Sequence, residues 1–250
     1  MKIRLINWSA FMPGVSLKKD WENWSKERDR FKINEDSLAP FTGFIPAMQK
    51  RRLSSLSRMA LSTAYDCTKN EPMDRLTTVF STHHGEFQPT YSLLLKAVHH
   101  EPFSASQFSH SVHNTAAGQF SILFNNRLPS TTLCAGDKGF SYSLIETLGY
   151  LKRFPGKNVL LTHFDEPLPP QFVKLEQPPS FAYSVSLLFG LGSRGEKLDL
   201  IFENGTERKD SAGNLPEALE FISWLTENKK HLHLGRDRFS LKVINKSQQK

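Results

Sequence analysis

The 250-residue sequence predicts an α/β protein in which strands alternate with helices in one layered domain. Short apolar segments typical of strands recur along the chain, and segments with apolar residues at 3–4 spacing stand between them. Hydrophobic and charged residues make up 38% and 23% of the chain, which is typical of globular proteins. No internal repeat appears, so we expect a single domain over residues 1–250 with a flexible tail from about residue 245.

Seven segments have the length and composition of strands. The segment at 75–82 indicates a buried strand, and the segment at 130–135 carries Cys134 close to its end. We expect strands at residues 2–10, 75–82, 130–135, 157–162, 181–189, 198–202 and 239–244.

Six segments carry helical spacing. The clearest is 54–67, where the apolar residues from Leu53 to Cys67 fall on one face, and Ser16 is a candidate N-cap for an earlier helix. We expect helices at residues 16–28, 54–67, 87–99, 111–126, 139–153 and 215–227. The apolar side of the helix at 87–99 is formed by Tyr91, Leu94, Leu95 and Val98. Residues 34–49 and the Pro-rich stretch 165–180 indicate surface loops.

The composition favours a protein of the cytoplasm. No run of about 18 apolar residues exists, so we expect no membrane span, and the N-terminus lacks the apolar region of a signal peptide. The only two cysteines are Cys67 and Cys134, which does not indicate a disulfide framework and fits a reducing compartment.

The net charge of +7 and the pI of about 9.4 favour an acidic partner. Nucleic acid is one candidate, but no basic run interleaved with aromatic residues stands out. An acidic carrier protein is an equally good candidate, because complementary charge speeds encounter. The densest basic spots are Lys50-Arg51-Arg52 and the pair Arg236 and Arg238.

Several motifs resemble functional sites but favour simpler interpretations. The stretch GLGSRG, Gly190 to Gly195, matches a dinucleotide fingerprint, yet a strand rather than a helix follows it, so we interpret it as a β-hairpin turn. The histidine pairs do not indicate a metal site, because adjacent side chains point in different directions and no carboxylate or cysteine set completes one. These pairs are His83-His84, His99-His100 and His231-x-His233. We expect neither a metal nor another cofactor.

Two further features carry open chemistry. Asp165-Glu166 follows a strand and could perform acid–base work, although a solvated loop pair is the commoner case. Cys134 lies on a strand-to-helix turn, where the positive end of a helix dipole would favour the thiolate. Free cysteines are also among the most buried residue types, so a purely structural thiol stays an alternative.

The stretch PSTTLCAGDKGFSYSLIETLGYLKRFPGKNVLLTHFDEPLPP resembles the β-ketoacyl synthases of the thiolase superfamily. With SVHNTAAGQFSI before it, the sequence is similar to the short ketosynthase-like proteins of aryl polyene gene clusters, which act as chain-length-factor-type partners of a full ketosynthase. The resemblance is most specific over residues 108–170. It implies half of a thiolase-like fold, in which a mixed five-stranded sheet has helices on both faces.

The same resemblance places Cys134 at the nucleophile position but implies that the thiol is a relic. Ketosynthases take two catalytic histidines from a second half for which this chain has no counterpart, and the sequence around His231 and His233 matches neither motif. Cys134-Ala-Gly136-Asp137 also departs from the Cys-Ala-small-Gly pattern of active enzymes. We therefore expect no catalytic residue here, because condensation needs more than a thiolate.

The resemblance further implies an interface for a partner. The strand at 130–135 would pair with its mate across a two-fold axis, and the helix at 111–126 would wall the partner's acyl tunnel. The alternative is that this helix is ordinary core. The candidate interface and tunnel residues are His113, Asn114, Ala117, Gly118, Phe120, Ser121, Phe124, Thr132, Leu133, Cys134 and Ala135.

Three functional hypotheses follow. The leading one is a catalytically silent subunit that heterodimerises with a full-length ketosynthase, shapes its acyl tunnel in type II fatty-acid or aryl polyene biosynthesis, and meets an acyl carrier protein transiently. The second is a small acyltransferase or thioesterase that uses Cys134 with a histidine from among His110, His113 and His163. The third is a basic interaction module without a role in acyl chemistry, which a salt-dependent affinity for nucleic acid would reveal.

Overall fold

The computed structural model describes residues 1–28, 39–172, 181–204, 215–235 and 239–247. Parts of the two predicted loops, the basic residues Arg236 and Arg238, and the last three residues of the tail lie outside this description. The strands are β1 (Lys2–Phe11), β2 (Thr77–Ser81), β3 (Ser130–Leu133), β4 (Val159–Asp165), β5 (Tyr183–Gly190), β6 (Glu196–Asn204), β7 (His231–Leu234) and β8 (Phe239–Asn245). The helices are α1 (Lys18–Glu27), α2 (Ala47–Lys50), α3 (Ser55–Thr68), α4 (Phe87–Val98), α5 (Ala105–Ser109), α6 (Thr115–Leu123), α7 (Gly139–Arg153) and α8 (Glu217–Thr226).

All these strands join one mixed sheet in the order β3-β2-β4-β5-β1-β6-β8-β7. β2 runs parallel to β3 and β4, and the remaining neighbours are antiparallel. The predicted mixed α/β class is therefore confirmed. The sheet has eight strands, however, and not the five that the resemblance implied. The first five strands of the order, β3 to β1, form a five-stranded unit, and β6, β8 and β7 extend it to eight.

Helices cover both faces of the sheet, as predicted. The side chains of the central strands point alternately to the two faces, and each face forms a core with the helices that cover it. On β4, Val159 and Leu161 point to the core that contains α7, α8 and the tryptophans of α1. Leu160 and Phe164 point to the other core, which contains α3 and α6. Burial of apolar side chains on both faces of the same strands is the main source of stability in such a sheet.

The helix at 111–126 is shorter than predicted. α6 covers Thr115–Leu123, because the preceding residues bend at Asn114 and the helix ends at Phe124. α4 carries no buried side chain, so its predicted apolar side, which includes Leu94 and Val98, faces outward. None of the helices in the described ranges is long and apolar enough to cross a bilayer.

The predicted hairpin at Gly190 to Gly195 is wrong. The segment joins β5 to β6, but these strands do not pair with each other, because β1 lies between them. The return across β1 brings Gly195 against the backbone of Leu5 with φ at +98°. A Cβ at this position would lie 2.3 Å from the carbonyl oxygen of Leu5, so only glycine fits here.

We expect Gly195→Ala to lower the free energy of unfolding by about 2 kcal/mol or more, since the new methyl group meets backbone and the φ angle is strained for alanine. Urea denaturation followed by circular dichroism measures the change. The matched control is Gly192→Ala in the same connection, where a Cβ meets nothing within 4 Å. Equal stabilities for the two variants would contradict the close approach.

Candidate functional site

The ends of four neighbouring strands bring together polar residues that lie far apart in the sequence. β2, β3 and β4 end here, and the antiparallel β5 begins here, with Tyr183 opposite Asp165. We call these residues the strand-end cluster; its members are Ser81, Thr82, His83, Cys134, His163, Asp165 and Tyr183.

Cys134 is the first residue after β3 and is exposed. Its thiol donates a hydrogen bond to the main-chain carbonyl of His83, at 2.7 Å. The chain then turns at Gly136, with φ at +58°, and forms a short 3₁₀ segment over Gly136–Lys138. The α-helix begins only at Gly139, so the first helical turn of α7 lies beyond the turn that holds the thiol. The strand-to-helix turn predicted around Cys134 is present, and a carbonyl oxygen accepts its thiol proton.

Asp165 fixes the turn that presents this carbonyl. Its Oδ1 atom accepts hydrogen bonds from the Thr82 hydroxyl at 2.8 Å and from the His83 amide at 2.7 Å. Its Oδ2 atom accepts one from the Tyr183 hydroxyl at 3.4 Å. Burial raises the pKa of Asp165 to about 6, against the effect of these hydrogen bonds. The carboxylate therefore ties β2, β4 and β5 together directly beneath the thiol.

His163 lies in the same buried layer as a neutral ring. Nδ1 is 3.1 Å from the Ser81 hydroxyl and Nε2 is 3.1 Å from the Tyr183 hydroxyl. Burial lowers the pKa of His163 to about 3, so the uncharged imidazole serves as a hydrogen-bonding element between strands. Of the three histidines that the sequence offered as bases for Cys134, this one therefore has both ring nitrogens occupied.

The other two candidate bases for Cys134, His110 and His113, lie outside the strand-end cluster. His110 has its Nδ1 2.7 Å from the carbonyl oxygen of Ser106, at the end of α5. His113 is exposed and packs beside Gly85. His83 is the histidine whose residue contacts Cys134, and sequence reasoning had considered it only as half of a metal-binding pair. Its ring stacks on that of His84 at 4.0 Å, and its Nδ1 lies 3.9 Å from Asp137 Oδ1.

His231 and His233 lie on β7, at the opposite edge of the sheet from β3. Seven inter-strand spacings of about 4.8 Å separate the two edges by roughly 30 Å. These histidines therefore cannot act on Cys134 within one copy of this fold.

The solvated loop pair expected at Asp165-Glu166 is wrong, because both carboxyl groups are engaged. Asp165 is buried in the strand-end cluster, while Glu166 accepts a hydrogen bond from the Ser55 hydroxyl at 3.1 Å. Glu86, from the turn after β2, accepts hydrogen bonds from Ser54 and Ser57. Two glutamates thus meet the N-terminal turn of α3, where helix geometry leaves N–H groups unpaired. Burial raises the pKa of Glu166 to about 7 and also raises that of Glu86.

The predicted interface and tunnel residues divide between core and surface. Ala117 and Phe120 lie on the buried face of α6, and the ring of Phe120 packs against that of Phe80. Asn114 and Gly118 lie on the exposed face of α6 together with Ile122, which the sequence reasoning did not single out. A Cβ at Gly118 would meet nothing within 4 Å.

The remaining members of that set lie between these extremes. The Ser121 hydroxyl donates to the carbonyl of Asn126, and half-buried Phe124 stacks with Phe44 and Tyr65. Thr132 and Leu133 belong to β3, with Ala135 just after it. In the part of the chain that the structure describes, β3 pairs only with β2, so its outer edge is open.

Comparison with known proteins identifies the fold. Residues 21–240 match the model of the β-ketoacyl synthase N-terminal domain. The chain therefore belongs to the β-ketoacyl synthase N-terminal domain family. No curated protein matches the sequence.

The solved structures with similar folds include ketosynthase complexes. The ketosynthase ApeO in complex with its chain length factor ApeC, from Xenorhabdus doucetiae, matches with a TM-score of 0.82 and 25% identity. That match covers 98% of this chain and 100% of the other. A type II polyketide acyl carrier protein bound to its ketosynthase, AntDE:AntF, has a TM-score of 0.70 at 10% identity over 98% and 99% of the two chains. The ishigamide ketosynthase/chain length factor has a TM-score of 0.63 at 14% identity over 81% and 67%. Because their identities are low, the AntDE:AntF and ishigamide structures show only that this chain shares their fold.

Glu166→Gln tests the burial of this carboxyl group. The native pKa of about 7 lies above the unfolded value of about 4.5, so between these pH values the native state holds a proton that the unfolded chain has lost. The stability of the wild type should therefore fall, relative to Glu166→Gln, as the pH rises from 4.5 to 7. We expect about 1 to 2 kcal/mol, because partial exposure reduces the full effect of the shift.

Urea denaturation at several pH values measures this difference. The matched control is Glu101→Gln, at an exposed position in the loop after α4, for which the difference should stay flat. A flat difference for Glu166→Gln as well would contradict the assignment.

Proposed function

We propose that this member of the family is a catalytically silent subunit that heterodimerises with a full-length β-ketoacyl synthase in the cytoplasm and shapes the partner's acyl tunnel. The observation that carries the proposal is the similarity to the ApeO and ApeC complex, which covers 98% of this chain and 100% of the matched chain.

The surroundings of Cys134 support catalytic silence. A nucleophilic thiol is activated by a base that accepts its proton, whereas here the thiol proton is directed to the carbonyl oxygen of His83. Asp137 follows two residues after Ala135, where the active pattern has glycine. The only histidines after His163 in the sequence are His231 and His233, and both lie on β7 at the far edge of the sheet. Among the described residues, His231 and His233 therefore lie too far from Cys134 to stabilise a condensation transition state on a thioester there.

The open edge of β3 supports a role in assembly. An exposed strand edge presents unpaired N–H and C=O groups, and proteins usually cover such an edge. α6 lies next to this edge and presents Asn114, Gly118 and Ile122 on its exposed face. Ile122 is 63% exposed on this face. We assign the face to the partner ketosynthase, where Gly118 leaves room and Ile122 adds bulk beside its acyl chain.

The charge of the chain fits a transient meeting with an acyl carrier protein. Carrier proteins of fatty-acid and polyketide assembly present acidic surfaces, and the net charge of +7 would speed their encounter with the heterodimer. The substrate in this proposal is the acyl thioester on the carrier, and the partner ketosynthase performs the bond-forming step.

Co-expression with the full-length ketosynthase encoded nearest to this chain tests the proposal. We expect a stable complex of one copy of each chain on size-exclusion chromatography. Within that complex, Gly118→Trp should shift the products towards shorter chains, since the indole would project from the exposed face of α6 into the partner's tunnel. Mass spectrometry of the released products measures their length.

Gly149→Trp is the matched control, because Gly149 is an exposed helical glycine on α7 with the same open space. It should leave the product lengths unchanged. Failure to form a complex would refute the assembly, and unchanged products from a complex that contains Gly118→Trp would refute the shaping of the tunnel.

A further inference from the structure

A pocket of about 390 Å³ opens between the start of α3 and the α4–α5 pair, away from Cys134. The basic run Lys50-Arg51-Arg52 leads into it, and the proposed function makes no use of this run. The pocket is lined by Arg51, Arg52, Leu53, Ser54, Pro89, Ser92, Leu93, Ser106, Gln107 and His110.

The lining carries positive charge without a matching acid. None of the lining residues is aspartate or glutamate. Within the described ranges, neither Arg51 nor Arg52 makes a side-chain hydrogen bond or an ion pair, so both guanidinium groups are available to a ligand. Guanidinium groups bind planar or tetrahedral oxyanions through pairs of N–H groups, which makes two of them at one pocket a strong anion signature.

The neutral lining residues add hydrogen-bond donors. The Oε1 atom of Gln107 accepts the Ser104 amide at 2.9 Å in the cap of α5, which leaves the side-chain NH₂ group to donate elsewhere. The Nδ1–H group of His110 donates to the Ser106 carbonyl, so Nε2 of the neutral ring is an acceptor and His110 adds no donor. The hydroxyls of Ser92 and Ser106 complete a set of neutral donors around the two arginines.

Glu86 contacts this set through Ser54, and its position does not oppose an anion. The Glu86 carboxyl is buried behind Ser54, where it accepts the hydroxyls of Ser54 and Ser57. Burial raises the pKa of Glu86. The 14-residue helix α3 also begins at Ser55, with Ser54 as its N-cap, and directs the positive end of its dipole towards this corner.

We propose that this pocket binds a phosphate ester group. Two unpaired arginines with amide and hydroxyl donors suit a tetrahedral dianion with several oxygen atoms, and the volume leaves room for the organic part of a phosphate ester. The inference goes beyond the proposed function, because it requires neither a partner ketosynthase nor Cys134.

Isothermal titration calorimetry of the full chain, or of its complex where the partner keeps it in solution, tests the pocket with inorganic pyrophosphate as the probe. We expect saturable binding to one site that weakens as salt is added. Arg51→Gln and Arg52→Gln should each weaken binding by about tenfold, which is the usual effect of losing a charge-assisted hydrogen bond.

Gln107→Glu is the sharpest variant. The new carboxylate keeps an oxygen to accept the Ser104 amide but replaces the NH₂ donor with negative charge, so binding should fall by more than about tenfold without a change in thermal stability. The control Arg75→Gln removes an exposed arginine beside Asp74, outside the pocket, and should leave the affinity unchanged. Absence of saturable binding, or wild-type affinity in the Arg51→Gln/Arg52→Gln double variant, would overturn the proposal.

A phosphate ester could reach the pocket as a free metabolite or attached to a carrier protein. Coenzyme A supplies the first form, and a carrier protein that bears phosphopantetheine supplies the second, with the unmodified carrier as its control. Competition with pyrophosphate by coenzyme A alone would assign the free ester. Competition that needs the modified carrier would assign the attached one.

Discussion

The buried carboxylate of Asp165 is the constraint on which the strand-end cluster depends. It accepts hydrogen bonds from the hydroxyl of Thr82, the amide of His83 and the hydroxyl of Tyr183, and so joins the ends of β2, β4 and β5. An unpaired carboxylate at this depth would be costly, which explains why the surrounding donors converge on it. Because the His83 carbonyl in turn accepts the Cys134 thiol, the position of the thiol follows from this one buried group.

The second core of the fold encloses α3. α3 would be exposed if only the sheet covered it, yet ten of its fourteen residues are buried. Phe44 stacks on Tyr65 at 4.1 Å, and Phe124 from the end of α6 packs on both rings. These aromatic side chains extend the core over the outer side of α3 and so bury this helix. The apolar side chains that stay exposed include Leu94 and Val98 on α4 and Ile122 on α6.

Local patterns were enough to predict the long elements but not the contacts between them. The spacing in α3 and α7 defined both helices to within a residue, because their apolar faces are continuous and packed. β7 escaped prediction because its four residues alternate histidine and leucine, and only pairing with β8 makes them a strand. The apolar stripe of α4 resembles a core face, although the sequence cannot tell a chain's own core from a surface kept for a partner. Asp165 resembled a loop residue, since Thr82 and His83 lie more than eighty positions away.

We propose that this chain contributes shape rather than chemistry to the heterodimer. The most direct measurement is the condensation rate of the purified complex with the partner ketosynthase, for Cys134→Ala in this chain and for alanine at the partner's own nucleophilic cysteine. We expect Cys134→Ala to keep the condensation rate within about twofold of wild type, whereas the variant of the partner's cysteine should be inactive. A loss of tenfold or more on Cys134→Ala, or condensation by this chain alone, would contradict the account and make Cys134 a working nucleophile.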